Sequence, residues 1–237
     1  MRIDFECSAE DLEWAGLSCS GEEACPVYLE LSAVEPVSDK IFVTGNIHTA
    51  AATLASILLA SEDAGKTWHE PHVRIRAAGL EQIQFVDFET GWIGGQILQP
   101  VTRDPFLLLT TDGGKTWRDR PIFDESRAGA IERFRFDSRT HGTVWIDRTR
   151  AGERGARHEL YESVNGGESW MLREASDRPI RGKPEPARPP DSGWRLRADG
   201  ETKSYRTEKL RGDQWETIAS FLIRIGECKS RSLEPPP

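Results

Sequence analysis

Short apolar runs with strand character recur along most of this 237-residue chain, and runs of this length bounded by turn signals are typical of β-strands. Between residues 28 and 176 the runs form three groups of four, and turn-forming residues separate them. We therefore predict an all-β protein. The predicted strands are Tyr28–Val34, Lys40–Gly45, Leu54–Ala60 and Trp68–Val73; then Ile83–Phe88, Gly91–Ile97, Phe106–Thr111 and Trp117–Ile122; then Glu132–Phe136, Thr143–Asp147, His158–Ser163 and Trp170–Arg173.

One turn-forming motif precedes the last predicted strand of every group. It reads SEDAGKTW at 61–68, TTDGGKTW at 110–117 and SVNGGESW at 163–170. The shared pattern is Ser/Thr-x-Asp/Asn-x-Gly-x-Thr/Ser-Trp, and the tryptophans are spaced by 49 and 53 residues. A period of this length predicts a repeat architecture with one structural unit per copy.

The residue types of the motif suit a self-contained turn between two strands. Asp or Asn accepts hydrogen bonds from backbone N–H groups, Gly supplies a positive φ, and the Thr or Ser hydroxyl bonds back to the turn. The Trp ring then covers the turn. We interpret the motif as structural, not ligand-binding. Its residues are Asp63, Gly65, Thr67 and Trp68; Asp112, Gly114, Thr116 and Trp117; and Asn165, Gly167, Ser169 and Trp170.

The three copies resemble the Asp-box repeat, also called the bacterial neuraminidase repeat. Proteins with this repeat are β-propellers, and they include sialidases and xyloglucanases. The stretch around Thr110–Trp117, with Thr90–Gly95 upstream, looks most like the photosystem II stability/assembly factor family. The resemblance covers about residues 30–175, and it implies a propeller with an assembly role.

The predicted fold is a small β-propeller of four or five four-stranded blades in a single domain, residues 1–231. The repeats span 28–76, 80–125, 131–176 and 193–219, and the tail 232–237 is expected to be disordered. In the fourth repeat, Gly212–Thr217 resembles a worn copy of the motif, and Trp194 resembles Trp92. Five prolines in 178–193 predict an extended loop before it.

The repeats offer an internal check of strand position. The residue 25 positions before the motif Trp is Val43, Trp92 and Trp145 in turn. All three are apolar and lie in the middle of a predicted strand. We expect them to occupy one equivalent inward position in each blade.

The four cysteines are Cys7, Cys19, Cys25 and Cys228. An even count without a CxxC pair favours disulfides over zinc. Cys19 and Cys25 would close a short loop, and Cys7 and Cys228 would join the terminal strands within one blade, closing the ring. This pattern predicts a periplasmic or extracellular protein, although no signal peptide is visible at the start. The alternative is a cytoplasmic protein with buried free thiols.

Charge is unevenly distributed along the chain. Residues 1–117 hold 7 Lys/Arg against 18 Asp/Glu, and residues 118–211 hold 21 against 17. The overall net charge of −8 argues against nucleic acid as the main partner. Arg133, Arg135, Arg148 and Arg150 lie near Trp145 in the sequence, so we expect them to form a face for an acidic segment of a partner protein. The alternative is an ordinary solvated surface.

The sequence contains no recognisable catalytic motif. Glycoside hydrolysis needs two carboxylates across a cleft, but among 39 acidic residues some pair always qualifies. A sialidase needs an arginine cluster and a Tyr/Glu pair, and its signature motif is missing here. The histidines are scattered, so we predict neither a metal site nor a cofactor. No apolar run reaches the ~18 residues of a membrane span.

We therefore predict a monomeric, non-enzymatic propeller for protein interaction or assembly, which binds a protein partner through the arginines. The alternative is a glycoside hydrolase, sialidase-like or carbohydrate-binding propeller. A deep cleft with paired carboxylates would favour the enzyme, and a shallow, positively charged face would favour binding.

Overall fold

The computed structural model describes residues 1–19, 22–98, 101–150, 157–180, 193–223 and 227–228. The predicted tail 232–237 and most of the Pro-rich stretch 178–193 lie outside these ranges. Strands make up most of the described structure. In chain order the elements are β1 (Arg2–Ile3), α1 (Ala9–Trp14), β2 (Cys25–Pro26), β3 (Tyr28–Val37), β4 (Lys40–His48), β5 (Thr53–Ser61), β6 (Ala78–Phe85), β7 (Gly91–Ile97), β8 (Arg103–Thr110), β9 (Arg118–Pro121), β10 (Ala130–Phe136), β11 (Gly142–Asp147), β12 (His158–Ser163), β13 (Met171–Ser176), β14 (Trp194–Asp199), β15 (Ser204–Arg211), β16 (Gln214–Ile223) and β17 (Glu227–Cys228).

The strands form four blades of a small β-propeller. Blade 1 is β3-β4-β5, blade 2 is β6-β7-β8-β9, and blade 3 is β10-β11-β12-β13. Blade 4 is β14-β15-β16 with β1 added at its outer edge. Neighbouring strands within a blade are antiparallel except β1, which pairs in parallel with β16. The all-β propeller architecture predicted from the repeat is confirmed.

The two chain termini meet in blade 4. Arg2 pairs with Leu222 and Ile3 with Ile223, so the prediction that the terminal strands share a blade is confirmed. Disulfides join Cys7 to Cys228 and Cys19 to Cys25. β2 and β17 form a separate two-stranded sheet beside them, so the termini do not build a fifth blade from the described residues.

Three hydrophobic layers hold the blades together. Val43 and Phe221 belong to the layer between blades 1 and 4, and Phe42 and Ile93 to the layer between blades 1 and 2. The layer between blades 2 and 3 centres on Trp92, which is fully buried and stacks on the next blade. The spatial order of the blades is therefore 4-1-2-3.

The outer face of blade 3 differs from the faces that join the other blades. Arg133, Arg135 and Glu162 alternate with core residues along their strands, so they lie on the face turned away from blade 2. The corresponding face of blade 2 carries Trp92 and Leu107. Among the described strands, blades 3 and 4 share no extensive contact. Trp145 lies on the same face beside Arg133, so this face combines polar side chains with one aromatic ring.

Blade 1 lacks the fourth strand predicted over Trp68–Val73. Only isolated bridges, Ala60 to His69 and Ala55 to Arg76, connect this segment to β5. Pro71 interrupts the segment, and proline has no N–H to donate to a ladder. The outer edge of blade 1 is therefore irregular.

Blade 4 also departs from the predicted repeat. Arg211 pairs with Gln214, so Gly212 and Asp213 form a tight hairpin between β15 and β16 and not a worn copy of the motif. Trp194 begins β14, which packs on β3 as the inner strand of its blade. It therefore does not correspond to Trp92, which lies on the second strand of blade 2.

The predicted equivalence of Val43, Trp92 and Trp145 is wrong. Trp92 pairs with Leu109, eight residues before its motif Trp. In blade 1 the matching pair is Phe42 with Ala60, so Val43 points to the opposite face. In blade 3 it is Thr143 with Glu162, which places Trp145 two residues further along the strand. The connections between strands differ in length, and a one-residue shift turns a side chain to the other face.

Each motif forms a compact turn after the third strand of its blade. The Oδ1 of Asp112 accepts hydrogen bonds from the backbone N–H groups of Lys115 and Thr116, both at 3.0 Å. The Thr116 hydroxyl donates to Oδ2 at 2.6 Å, and Trp117 Nε1 donates to the Gly114 carbonyl at 3.1 Å. The turn around Asp63 has the same bonds. In the third turn Asn165 donates through Nδ2 to Ser169 Oγ.

The second glycine of the motif is required for two reasons. Gly65, Gly114 and Gly167 have φ of +91°, +84° and +90°, which L-residues rarely adopt. A Cβ at Gly114 would also lie 2.3 Å from Phe42, and one at Gly65 would lie 2.3 Å from Ile218. These turns therefore sit directly on the preceding blade.

The motif carboxylates predict an acid-sensitive fold. Hydrogen bonds from the Thr67 backbone and hydroxyl lower the pKa of Asp63 to about 2. Burial opposes the shift at Asp112, but hydrogen bonds from Thr116 outweigh it, and the pKa of Asp112 also falls to about 2. Because both values lie below that of an unfolded Asp, about 4, this stabilisation is present above pH ~4 and disappears as the pH falls toward 2.

The third turn shows how to test this. Asn165 keeps the turn without a carboxylate, so the double variant Asp63→Asn, Asp112→Asn should fold and lose less stability than wild type between pH 7 and pH 3. Asn165→Asp should lose more. Denaturant unfolding at the two pH values measures the difference, and an equal loss in all three proteins would contradict this explanation.

Candidate functional site

The four arginines predicted to bind a partner do not form one surface. Arg148 is buried, with its side chain 8% exposed, and its guanidinium lies 3.3 Å from Glu159. Arg135 pairs with Asp137 at 2.7 Å. Arg133 lies over the Trp145 ring, 4.2 Å from its centre. Arg150 is exposed beyond the end of β11.

Arg148 belongs to a closed polar network between blade 3 and the segment that precedes it. Arg127 donates to Glu159 and to the Tyr161 hydroxyl, both at 2.7 Å, and Tyr161 donates to Glu159 at 2.9 Å. Burial and the Glu159 hydrogen bond raise the pKa of Tyr161. The network brings a Tyr/Glu pair beside two arginines, but Glu159 and Tyr161 are 5% and 7% exposed. A substrate has no access, so the network stabilises the fold.

A cleft of about 690 Å³ opens at the opposite end of blades 1 and 2 from the motif turns. Its floor is the turn 49–52 between β4 and β5. The Thr49 hydroxyl accepts hydrogen bonds from the backbone of Ala51 and Ala52, at 3.2 and 3.0 Å. The walls carry Glu30 from β3, Asn46 from β4 and Glu81 from β6. Short side chains at 50–52 keep the cleft wide.

A repeated irregularity of the inner strands places one of the carboxylates. Each of β3, β6 and β10 has a register shift near its start, at Ser32, Glu81 and Glu132. A β-bulge of this kind bends the strand and re-aims the extra side chain. In β6 it presents Glu81 to the cleft.

The electrostatics of the cleft act on Glu81. Glu81 is open to solvent through the cleft, but the surrounding walls desolvate it and raise its pKa. A hydrogen bond from Gln96 opposes this shift, and the negative charge of Glu30 adds to it. The cleft therefore concentrates negative charge where no Lys or Arg lines the described walls.

Asn46 is the unusual residue of this cleft. It is 5% exposed, and its Nδ2 donates to Glu30 at 3.2 Å. Its Oδ1 is buried and has no hydrogen-bond partner in the structure. A buried polar atom without a partner costs about 1–3 kcal/mol, and this one belongs to a residue that lines the cleft.

Gln96 occupies the same position in blade 2 and is fully bonded. The pair Gly95-Gln96 in β7 occupies the same place as the pair Gly45-Asn46 in β4. Gln96 donates to Glu81 at 3.0 Å, and its Oε1 accepts from the Ile131 N–H of the next blade at 2.7 Å. Asn46 is one methylene shorter and lacks this contact to the next blade. The repeated Gly-amide pair is the sequence feature that marks this site.

The described residues contain no cluster of three or more His, Cys, Asp or Glu side chains able to hold a metal ion. Within the same ranges, no helix has the length and hydropathy to cross a bilayer.

No protein-family model matches this sequence, and no curated protein matches it. Among solved structures it is similar to YCF48 bound to a D1 peptide, with 19% identity, a TM-score of 0.45, and 82% of this chain covered against 54% of that one. It is also similar to YCF48 from Cyanidioschyzon merolae, with 17% identity, a TM-score of 0.40, and 81% of this chain covered against 58% of that one. A third similar structure is the GH74 xyloglucanase from Xanthomonas campestris, with 19% identity, a TM-score of 0.41, and 56% of this chain covered against 18% of that one.

The chain thus spans between 18% and 58% of the length of these three structures. Identities and TM-scores this low assign no function to it.

Proposed function

We propose that this chain is a non-enzymatic protein-interaction propeller that holds a segment of a partner protein in the cleft between blades 1 and 2. The observation that carries the proposal is the buried, unpartnered Oδ1 of Asn46 at the cleft wall. An open, preformed cavity with a few convergent polar groups is the usual form of a binding site.

The lining favours a peptide over a sugar. Sugar rings commonly stack on aromatic side chains, but the only ring among the described lining residues is the His48 imidazole. That ring is already packed against Tyr28 and bonded to the Thr49 carbonyl. The short side chains of Ala50, Ala51 and Ala52 leave room for an extended backbone.

The location of the cleft changes the expected chemistry of the partner. The arginines that suggested an acidic partner are dispersed, and two of the four are paired with carboxylates. The two disulfides support an oxidising compartment such as the periplasm or the cell exterior.

Peptide selection tests the proposal. A displayed library of random dodecapeptides is selected on the wild-type protein and counter-screened on Ala51→Trp, which fills the cleft. Ala175→Trp is the matched control, since Ala175 is exposed on the outer strand of blade 3. We expect selected peptides to bind wild type and Ala175→Trp but not Ala51→Trp. Peptides that bind all three equally, or no selected peptide at all, would overturn the proposal.

Hydrolysis of a glycosidic bond is a second candidate, favoured by one observation. Glu81 has a raised pKa beside Glu30 in an open cleft, as a general acid beside a second carboxylate requires. Turnover of a panel of nitrophenyl glycosides and oligosaccharides tests it. Turnover that Glu81→Gln abolishes and Glu132→Gln leaves intact would establish this activity, whereas our proposal predicts no turnover in any of the three proteins.

A further inference from the structure

The charged groups of the cleft are hydrogen-bond acceptors, and the hydroxyls of Ser32 and Thr53, which can donate or accept, also line it. Glu30 and Glu81 bring carboxylate oxygens, and Asn46, which also lines the cleft, has a buried Oδ1 without a hydrogen-bond partner. The two nearby side-chain amides each already spend one N–H donor on a carboxylate, Asn46 Nδ2 on Glu30 and Gln96 Nε2 on Glu81. A ligand that brings donors therefore matches the carboxylates and the unpartnered Oδ1 best.

The charge of the cleft sets a second requirement. Two carboxylates face it, and no Lys or Arg stands among its described lining residues to neutralise them. Like charges at close range repel each other, which a bound cation would relieve. A ligand with a positive charge and several N–H donors would neutralise the two carboxylates and could also bond to the unpartnered Asn46 Oδ1.

From these two requirements we infer that the cleft binds an arginine side chain of the partner protein. A planar guanidinium has five N–H donors in a fixed fork, enough to bond a carboxylate with two of them and to reach Asn46 Oδ1 with another. The inference rests on the proposed function, since it names the partner residue that the same cleft receives.

The comparison with Gln96 suggests a variant that removes the free acceptor of Asn46 without deleting its side chain. Asn46→Gln adds the one methylene that lets Gln96 reach the backbone of the next blade. In blade 2 the equivalent backbone N–H belongs to Leu80. Leu80 directly precedes the register shift of β6, as Ile131 precedes that of β10. The variant should bond to it, remove the free acceptor and keep the fold intact. It therefore separates loss of the ligand site from loss of structure.

Calorimetric titration with defined peptides tests the inference. The probes are acetyl-Gly-Gly-Arg-Gly-Gly-amide, its Lys and Gln counterparts, and cellotetraose. We expect the Arg peptide to bind, the Gln peptide to bind at least about tenfold more weakly, and Lys to fall between them. Glu30→Gln, Glu81→Gln and Asn46→Gln should each weaken the Arg peptide about tenfold. Glu132→Gln, at the equivalent bulge of blade 3, should leave it unchanged.

Equal affinity for the Arg and Gln peptides would overturn the inference, as would Arg binding that ignores all three cleft variants. Binding of cellotetraose without the Arg peptide would mark a sugar site and overturn it too. Thermal unfolding of each variant checks that the fold is retained. If random selection yields cleft-dependent peptides that lack arginine, only this inference fails, and the protein-binding proposal stands.

Discussion

Removal of the Cys7–Cys228 disulfide should lower the free energy of unfolding by about 5 kcal/mol, on the chain-entropy account of a cross-link this long. The bridge joins residues 221 positions apart and ties the N-terminal segment to the last described strand. Much of the molecule's stability is at stake, since domains are typically stable by about 5–15 kcal/mol. Chemical denaturation of Cys7→Ala, Cys228→Ala measures the loss.

The second disulfide is the matched control. Cys19 and Cys25 are separated by 6 residues, so Cys19→Ala, Cys25→Ala should cost only about 2 kcal/mol on the same account. Equal losses in the two double variants would show that loop length does not determine the stabilisation. The explanation of how the termini are held would then be wrong.

Gly114→Ala should destabilise the protein by about 3 kcal/mol, from strain at positive φ together with overpacking. The new Cβ would lie 2.3 Å from the ring of Phe42, a residue of the core between blades 1 and 2. The Phe42 ring is 2% exposed and is packed against Phe85 and Trp117, so it has little room to move away. Thermal and denaturant unfolding measure the change.

Gly167→Ala separates the two contributions. Gly167 has nearly the same φ, +90°, but its nearest neighbour lies at 3.4 Å, in ordinary contact with an added Cβ. This variant should therefore lose only about 1 kcal/mol from backbone strain. If the two variants are equally unstable, packing of the turn on the preceding blade is not what requires the glycine at 114.

Local sequence was sufficient to predict the features that local chemistry determines. The motif turns follow from an Asp or Asn acceptor, a left-handed glycine and a hydroxyl within eight residues. Most strands of blades 2 and 3 follow from short apolar runs bounded by turn-forming residues. The disulfides were predictable because the cysteines flank the terminal strands or a short loop.

Register and long-range pairing were not predictable in the same way. The mistaken equivalence of Val43 with Trp92 arose because connections of different length shift the strands against each other. The chain around Gly212 looked like the motif, but its short hairpin pairing overrides the resemblance. The arginines share a stretch of sequence, yet Arg148 turns toward Glu159 while Arg133 lies on Trp145.

The cleft was missed because it depends on two blades at once. Glu30 and Glu81 are 51 positions apart, and only the packing of β3 against β6 brings them to one wall. The unpartnered Oδ1 of Asn46 is recognisable only by comparison with Gln96, whose longer side chain reaches a backbone N–H of the next blade. No single window of sequence contains that comparison.

The most direct test of the account is an NMR titration of the protein with the Arg pentapeptide, following the side-chain amides of Asn46 and Gln96. We predict that the Asn46 resonances shift most, together with backbone amides of residues 30–31, 46–52 and 81. Shifts centred on Arg133 and Arg135 would move the binding site to blade 3. Either that outcome or the absence of any shift would contradict the claim that the cleft between blades 1 and 2 is where this propeller binds its partner.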